Sequence, residues 1–148
     1  MIKHTMNYTL IFQIINIIVL PFWLTMIIAP HSNLTHKLNR GYWQFIPLAV
    51  IYTVLILPAF GDILPAVSNP QLDSIIALLS NDFGITLVWL HILVWDLFVG
   101  RFLWLDTIKH NKSILKLRIA LFFTLMSGPL GLLLYMAMSG IQKESKKL

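Results

Sequence analysis

The sequence lacks cysteine and is poor in charge, with charged residues making up 11% of its 148 positions. The absence of cysteine excludes disulfides and thiolate chemistry, and it removes cysteine as evidence about the redox compartment. Sequence patterns for nucleotide phosphates, dinucleotides, zinc proteases and serine hydrolases are also missing. Soluble domains carry about 25% charged residues, so this chain has too little polar surface to cover a water-soluble globule. We therefore expect an integral membrane protein.

Apolar residues fill most of the chain, which is 57% hydrophobic. They form four runs long enough to cross a bilayer as helices. The net charge of +5 comes from basic residues at the ends of these runs, where they meet lipid headgroups, so we expect no nucleic-acid partner. The sequence predicts one all-α transmembrane domain over 1–148, a bundle of four spans at about 8–30, 42–64, 84–105 and 117–138.

A short amphipathic helix is predicted between spans two and three. Its apolar residues recur at helical spacing, and we expect it to lie at the membrane interface as a packing cap or as a lid over a lipidic site. The residues that carry this pattern are Leu72, Ile75, Ile76, Leu78 and Leu79.

Proline and glycine interrupt spans one and four. Pro21 predicts a kink in span one, and Gly128-Pro129 predicts a break in span four. Asn16, near the first of these, is expected to hydrogen-bond another helix or the freed backbone. Non-helical backbone at membrane depth survives only inside protein or along a cavity, so both points are candidate site positions.

Span three carries ionisable side chains within or beside its apolar run: His91, Asp96, Arg101 and Asp106. A charge at the centre of a membrane helix costs about 2.5–3.5 kcal/mol on insertion scales, so a partner or a function is expected. These four residues do not share one helical face, which predicts that span three is the central helix. Gly100 predicts an open notch beside Asp96.

Two interpretations of these residues stay open. Asp96 with Arg101 or His91 is typical of a general acid/base site, and equally of a structural ion pair that sets helix register. Neighbouring polar groups are expected from other spans, namely Gln13, Asn16, Tyr52 and Tyr135. No metal site is expected.

Two segments resemble a known family. They are His91 followed by Asp96-Leu-Phe-Val-Gly-Arg101 and Asp106, and Gly128-Pro129-Leu-Gly131-Leu-Leu-Leu-Tyr135. With the run from Pro21 to Pro30, they resemble the neoxanthin-synthase-like (abscisic-acid-deficient-four-like) family of small four-helix membrane proteins. The resemblance covers nearly the whole chain.

The resemblance implies chemistry on carotenoids. Plant members isomerise violaxanthin to neoxanthin by opening an epoxide and forming an allene, which is redox-neutral and needs no cofactor. Carried over, Asp96 would be the acid or base, His91 its counterpart, and Arg101 would stabilise developing charge, with Asp106 also assigned to the site. The substrate would be a carotenoid or another isoprenoid.

Two other functions stay open at this point. One is a non-catalytic carotenoid or lipid binder that assists another protein, and the other is a small proton-coupled transporter, for which four spans would require a homo-oligomer. The isoleucine-, asparagine- and lysine-rich composition suits a bacterial inner-membrane protein. Six basic residues in loops one and three, against Lys3, Lys143, Lys146 and Lys147 at the termini, favour termini outside the cytoplasm.

Overall fold

A computed structural model describes residues 6–139, and within that range the chain is helical, without strands. This confirms the all-α prediction for the described residues. Two short 3₁₀ helices, Trp43–Phe45 and Leu57–Ala59, flank α3. The α-helices are α1 Tyr8–Ile28, α2 Asn33–Asn39, α3 Ile46–Ile56, α4 Phe60–Ser68, α5 Leu72–Leu79, α6 Asp82–Lys109, α7 Ile114–Met126 and α8 Gly128–Ser139.

Three helical stretches are long and apolar enough to cross a membrane: Tyr8–Ile28, Trp43–Ser68 and Asp82–Lys109. They match the predicted spans one, two and three to within a few residues. In the second stretch the helix tightens to 3₁₀ around Pro58, one of its prolines. The short helix predicted between spans two and three is present as α5.

The described residues group into two compact units. Unit 1 comprises 6–20 and 42–94, and unit 2 comprises 21–41 and 95–139. The charges divide between them: unit 1 has aspartates and no lysine or arginine, whereas unit 2 has every described lysine and arginine. The four terminal lysines counted in the sequence lie outside the described residues. The prediction of a single domain over 1–148 remains a prediction.

In unit 1, Asn16 joins two helices. Its side-chain amide donates to Phe12 O at 2.6 Å within α1, and its carbonyl accepts from Trp89 Nε1 on α6 at 3.2 Å. The rings of Phe12 and Trp89 also stack, with centroids 5.7 Å apart. The predicted interhelical hydrogen bond of Asn16 is therefore confirmed.

The two predicted helix breaks have different outcomes. Helix α1 is continuous through Pro21, where the kink remains a prediction, whereas the predicted fourth span ends at Met126 and restarts at Gly128. Ser127, between them, is extended. Glycine costs about 1 kcal/mol and proline about 3 kcal/mol in a helix interior, so Gly128-Pro129 penalises continuation more than Pro21 does alone.

Helices α7 and α8 form an antiparallel hairpin in unit 2. Lys116 Nζ, in the first turn of α7, donates to Met138 O, in the last turn of α8, at 2.5 Å. In one straight helix these residues would lie about 33 Å apart at 1.5 Å per residue. A Cβ on Gly131 would clash with the Thr124 backbone, so the two helices approach closely. The prediction of span four as one membrane-crossing helix is therefore wrong, because the chain reverses at Ser127.

The hairpin predicts which positions share a side of the membrane. The cysteine-free sequence allows single cysteines at Ser113, before α7, and at Ala137, near the end of α8. We expect Ser113→Cys and Ala137→Cys to react with an impermeant maleimide from the same side. Labelling of intact and opened vesicles measures this; reaction of positions 113 and 137 from opposite sides would show that α7 and α8 form a crossing.

Candidate functional site

Asp96 lies at the turn of the α7–α8 hairpin. Its half-buried carboxylate accepts a hydrogen bond from the backbone N–H of Gly128, the first residue of α8. A Cβ at position 128 would overlap Asp96 Oδ1, so a residue without a side chain is required there. The carboxylate thus occupies the N-terminal end of α8.

This placement gives the carboxylate a favourable electrostatic environment. The first N–H groups of a helix have no partners within the helix, and its N-terminus carries a partial positive charge that stabilises anions. Pro129 has no N–H, which leaves the Gly128 N–H as a backbone donor at this end of α8. Asp96 therefore serves as a cap for α8 that is contributed by another helix.

The notch predicted at Gly100 is filled. A Cβ on Gly100 would overlap the six-membered ring of the Trp23 indole, which is 1% exposed. Because the indole takes this space, the prediction of an opening for a ligand or a backbone beside Gly100 is wrong. Gly100 instead permits close packing of α6 against α1 within unit 2.

Arg101 binds the end of α2. Its side chain is 6% exposed, and Nε donates to Asn39 O at 2.8 Å while Nη2 donates to Arg40 O at 2.7 Å. The last carbonyls of a helix lack partners and carry partial negative charge, so a guanidinium stabilises them. These contacts fix α2 against α6 and place the guanidinium away from free solvent.

Two further basic side chains of unit 2 also donate to carbonyl groups at helix C-termini. Arg118 donates from Nε to Ile27 O and from Nη2 to Ile28 O, both at 2.8 Å, at the end of α1. Lys116 Nζ donates to Met138 O, in the last turn of α8. Three cations of unit 2 are therefore bound to helix C-termini: Arg101 of span three, and Lys116 and Arg118, which were counted with loop three in the sequence prediction.

Asp106 belongs to a polar cluster at the end of α6. Its carboxylate accepts from Lys112 Nζ at 2.7 Å and from Tyr135 Oη at 2.7 Å, and His110 Nδ1 lies 2.9 Å from Oδ1. The Tyr135 hydroxyl is also 2.8 Å from Thr107 Oγ1. The cluster therefore attaches α8 and the α6–α7 connection to α6.

His91 lies in unit 1, against Tyr52. The two rings are 5.9 Å apart between centroids, one on α6 and the other on α3. Tyr52 was predicted as a neighbouring polar group, and the structure places it beside His91. Likewise, the predicted Tyr135 lies beside Asp106.

The structure thus gives the four predicted site residues different surroundings. Asp96, Arg101 and Asp106 lie in unit 2 and bind, respectively, an N-terminal N–H, two C-terminal carbonyls and a polar cluster. Their assignment to one catalytic site remains a prediction. Sequence reasoning missed Lys112 and His110 as partners of Asp106, although the spacing of Asp106 and His110 by four residues in one helix is a signal for such a pair.

The helices and these contacts define a class: an all-helical protein with apolar helices of membrane-crossing length and a helical hairpin whose turn meets a carboxylate. The ABA4-like family, described as ABA DEFICIENT 4-like, matches residues 10–135. The chain therefore belongs to the ABA4-like family, as the resemblance of its two motifs implies.

A curated relative is the chloroplastic protein ABA DEFICIENT 4 of Arabidopsis thaliana, 28% identical over 99 residues. The match covers 63% of this chain and 45% of the relative, so the chain spans less than half the length of that protein. No solved structure matches. Since the relative is chloroplastic, the prediction of a bacterial inner-membrane protein is not supported.

The contact between Asp96 and Gly128 predicts that a side chain at position 128 lowers the stability of the fold. We expect Gly128→Ala to lower the free energy of unfolding by about 1–3 kcal/mol, because the new methyl group overlaps the carboxylate. Gly61→Ala is the matched control, since a Cβ there meets no atom within 4 Å. Denaturant unfolding in detergent, followed by circular dichroism, measures both. An equal cost of Gly128→Ala in an Asp96→Ala background would contradict this account.

The Asp106 cluster predicts that removing the Tyr135 hydroxyl also lowers the stability of the fold. Tyr135→Phe removes a hydroxyl that donates to a carboxylate, and a hydrogen bond to a charged group contributes about 1.5–3 kcal/mol. We expect Tyr135→Phe to lower the free energy of unfolding by that amount in the same experiment. The control Tyr42→Phe should lower it less, because Tyr42 is 67% exposed. Equal losses for the two variants would show that the cluster does not stabilise the hairpin.

Proposed function

We propose that this protein acts in a membrane on a carotenoid or a related isoprenoid, as a cofactor-independent isomerase. Membership of the ABA4-like family over residues 10–135 is the observation that carries the proposal. The apolar helices support a lipid environment, in which such a substrate dissolves. The placement of a carboxylic acid at the hairpin turn supports acid/base chemistry.

The proposed reaction needs two proton transfers. A proton is delivered to an epoxide oxygen as its C–O bond breaks, and a proton is removed from a neighbouring polyene carbon as the allene forms. No electrons are gained or lost, so no redox partner is required. We assign one of these transfers to Asp96, the carboxylate held at the start of α8.

The other predicted site residues have roles that their contacts support. Arg101 and Asp106 are proposed as positioning residues, because Arg101 binds the end of α2 and Asp106 binds Tyr135 of α8. His91 is proposed as the second titratable group, and it lies in unit 1 beside Tyr52. Its pairing with Asp96 stays a prediction.

A non-catalytic pigment binder is the second candidate. It is favoured by the partner that Asp96 already has, since a carboxylate that caps α8 has a structural use without any reaction. In that case the family resemblance reflects shared binding of a pigment and not shared chemistry.

We also propose an orientation. Unit 2 holds all seven described lysines and arginines, whereas the described residues of unit 1 hold none. Positively charged segments stay on the cytoplasmic side of a membrane, or on the side equivalent to it in an organelle. The α6–α7 connection would therefore face that side.

Pigment analysis tests the function. In a host that accumulates violaxanthin, we expect the wild-type protein to yield a new isomer by chromatography with mass detection. We expect Asp96→Asn to abolish that product, because the amide cannot transfer the proton. Asp73→Asn, a surface aspartate of α5, is the matched control and should retain the product.

The remaining outcomes separate the two candidates. An unchanged pigment profile with confirmed membrane expression contradicts the isomerase for that substrate. Pigment that co-purifies equally with wild type and Asp96→Asn, without conversion, identifies a binder.

A further inference from the structure

Unit 1 contains a pocket of about 200 Å³ whose lining includes His91, the residue proposed as the second titratable group. Its walls come from α3, α4, α5 and α6. Of its lining residues, all except Tyr52 and His91 are aliphatic or glycine. Pockets with apolar walls and a small number of convergent polar groups are typical of small-molecule sites.

The size of the pocket limits what it accepts. An apolar cavity of about 150 Å³ holds a benzene ring. A pocket of about 200 Å³ therefore admits one alkyl-substituted six-membered ring, whereas drug-sized ligands occupy about 300–1,000 Å³. Because the pocket is only partly enclosed, the remainder of a longer ligand can extend out of it.

The polar residues limit the chemistry of the occupant. Tyr52 and His91 approach each other across the pocket wall, with ring centroids 5.9 Å apart. A phenol and an imidazole among apolar walls favour a ligand with one oxygen function on an otherwise apolar body. A hydrocarbon would offer these two side chains no hydrogen bond.

One wall of the pocket is held in place by a glycine contact. Gly84, at the start of α6, lies against the end of α5, where a Cβ would overlap the backbone carbonyl of Leu78. Leu78 and Leu79 both line the pocket. The close contact holds this wall, so the pocket exists before a ligand arrives and less ordering is required on binding.

We propose that this pocket binds the end ring of an isoprenoid, an alkylated six-membered ring with one hydroxyl or carbonyl, which hydrogen-bonds Tyr52 or His91. The choice of an isoprenoid among ring compounds rests on the proposed function. The ring is the part of such a molecule that fits the volume, and its chain extends out of the partly enclosed pocket.

Photolabelling tests the site directly. The probe is a diazirine derivative of 3,3,5-trimethylcyclohexanol, applied to the full chain in phospholipid nanodiscs, with labelled residues mapped by mass spectrometry. We expect labels on pocket residues of α3, α4 and α6. Labels spread evenly over the lipid-facing residues of α1 would overturn the proposal.

Two variants on one helix separate the pocket from the lipid. Val88→Trp places a large side chain in the pocket, and its position is 38% exposed, so the helix tolerates the change. Ile92→Trp, one turn later and 41% exposed, does not line the pocket and is the matched control. We expect Val88→Trp to lose most of the pocket labelling and Ile92→Trp to retain it; equal labelling would contradict the site.

Competition identifies the chemistry that the pocket selects. We expect 3,3,5-trimethylcyclohexanol to compete about fivefold better than 1,1,3-trimethylcyclohexane, as one hydrogen bond allows. Loss of this preference in the Tyr52→Phe, His91→Phe double variant would confirm the role of the polar pair. Equal competition by nonan-2-ol, a straight-chain alcohol of the same carbon number, would assign the pocket to lipid acyl chains and overturn the ring proposal.

The failures of the two proposals are distinguishable. Pocket labelling that follows these expectations, without any pigment conversion, supports the ring site and contradicts the isomerase. Conversion that persists in Val88→Trp, together with unchanged labelling, contradicts the ring site and leaves the isomerase standing.

Discussion

The hydrogen bond between the Gly128 N–H and the Asp96 carboxylate holds the turn of the α7–α8 hairpin against α6. Helix ends in an apolar surrounding must find polar partners, because their free N–H and C=O groups cannot bind water there. Unit 2 meets this requirement with side chains from other elements. A carboxylate binds the start of α8, while Arg101 and Arg118 bind the carbonyls that end α2 and α1.

This constraint changes how the ionisable residues of α6 are understood. The cost of placing a charge among apolar helices is offset for Arg101 by two backbone carbonyls and for Asp106 by Lys112 and Tyr135. Both residues then have a structural use that requires no substrate. Asp96 also caps α8, but its carboxylate is half-buried at the turn where α7 ends, α8 begins and the backbone changes direction. For this reason the proposed proton transfer is assigned to Asp96.

Unit 1 differs from unit 2 in both charge and chemistry. It has no described lysine or arginine, and a neutral side chain, Asn16, makes the hydrogen bond that joins α1 to α6 there. The walls of its pocket are apolar except for Tyr52 and His91, as expected for a site that holds part of a lipid-soluble molecule. We propose that the low polarity of unit 1 favours binding of a ring, whereas the fixed helix ends of unit 2 favour proton transfer by Asp96.

The amino-acid sequence by itself determined the three long helices, α5 and the break before Pro129, because hydrophobic periodicity and proline act over a few neighbouring residues. It also determined that the ionisable residues of span three need partners. Only the tertiary structure decided that the chain reverses at Ser127, because a local break does not specify the direction of the next helix. That direction depends on contacts distant in sequence, between Gly128 and Asp96 and between Tyr135 and Asp106.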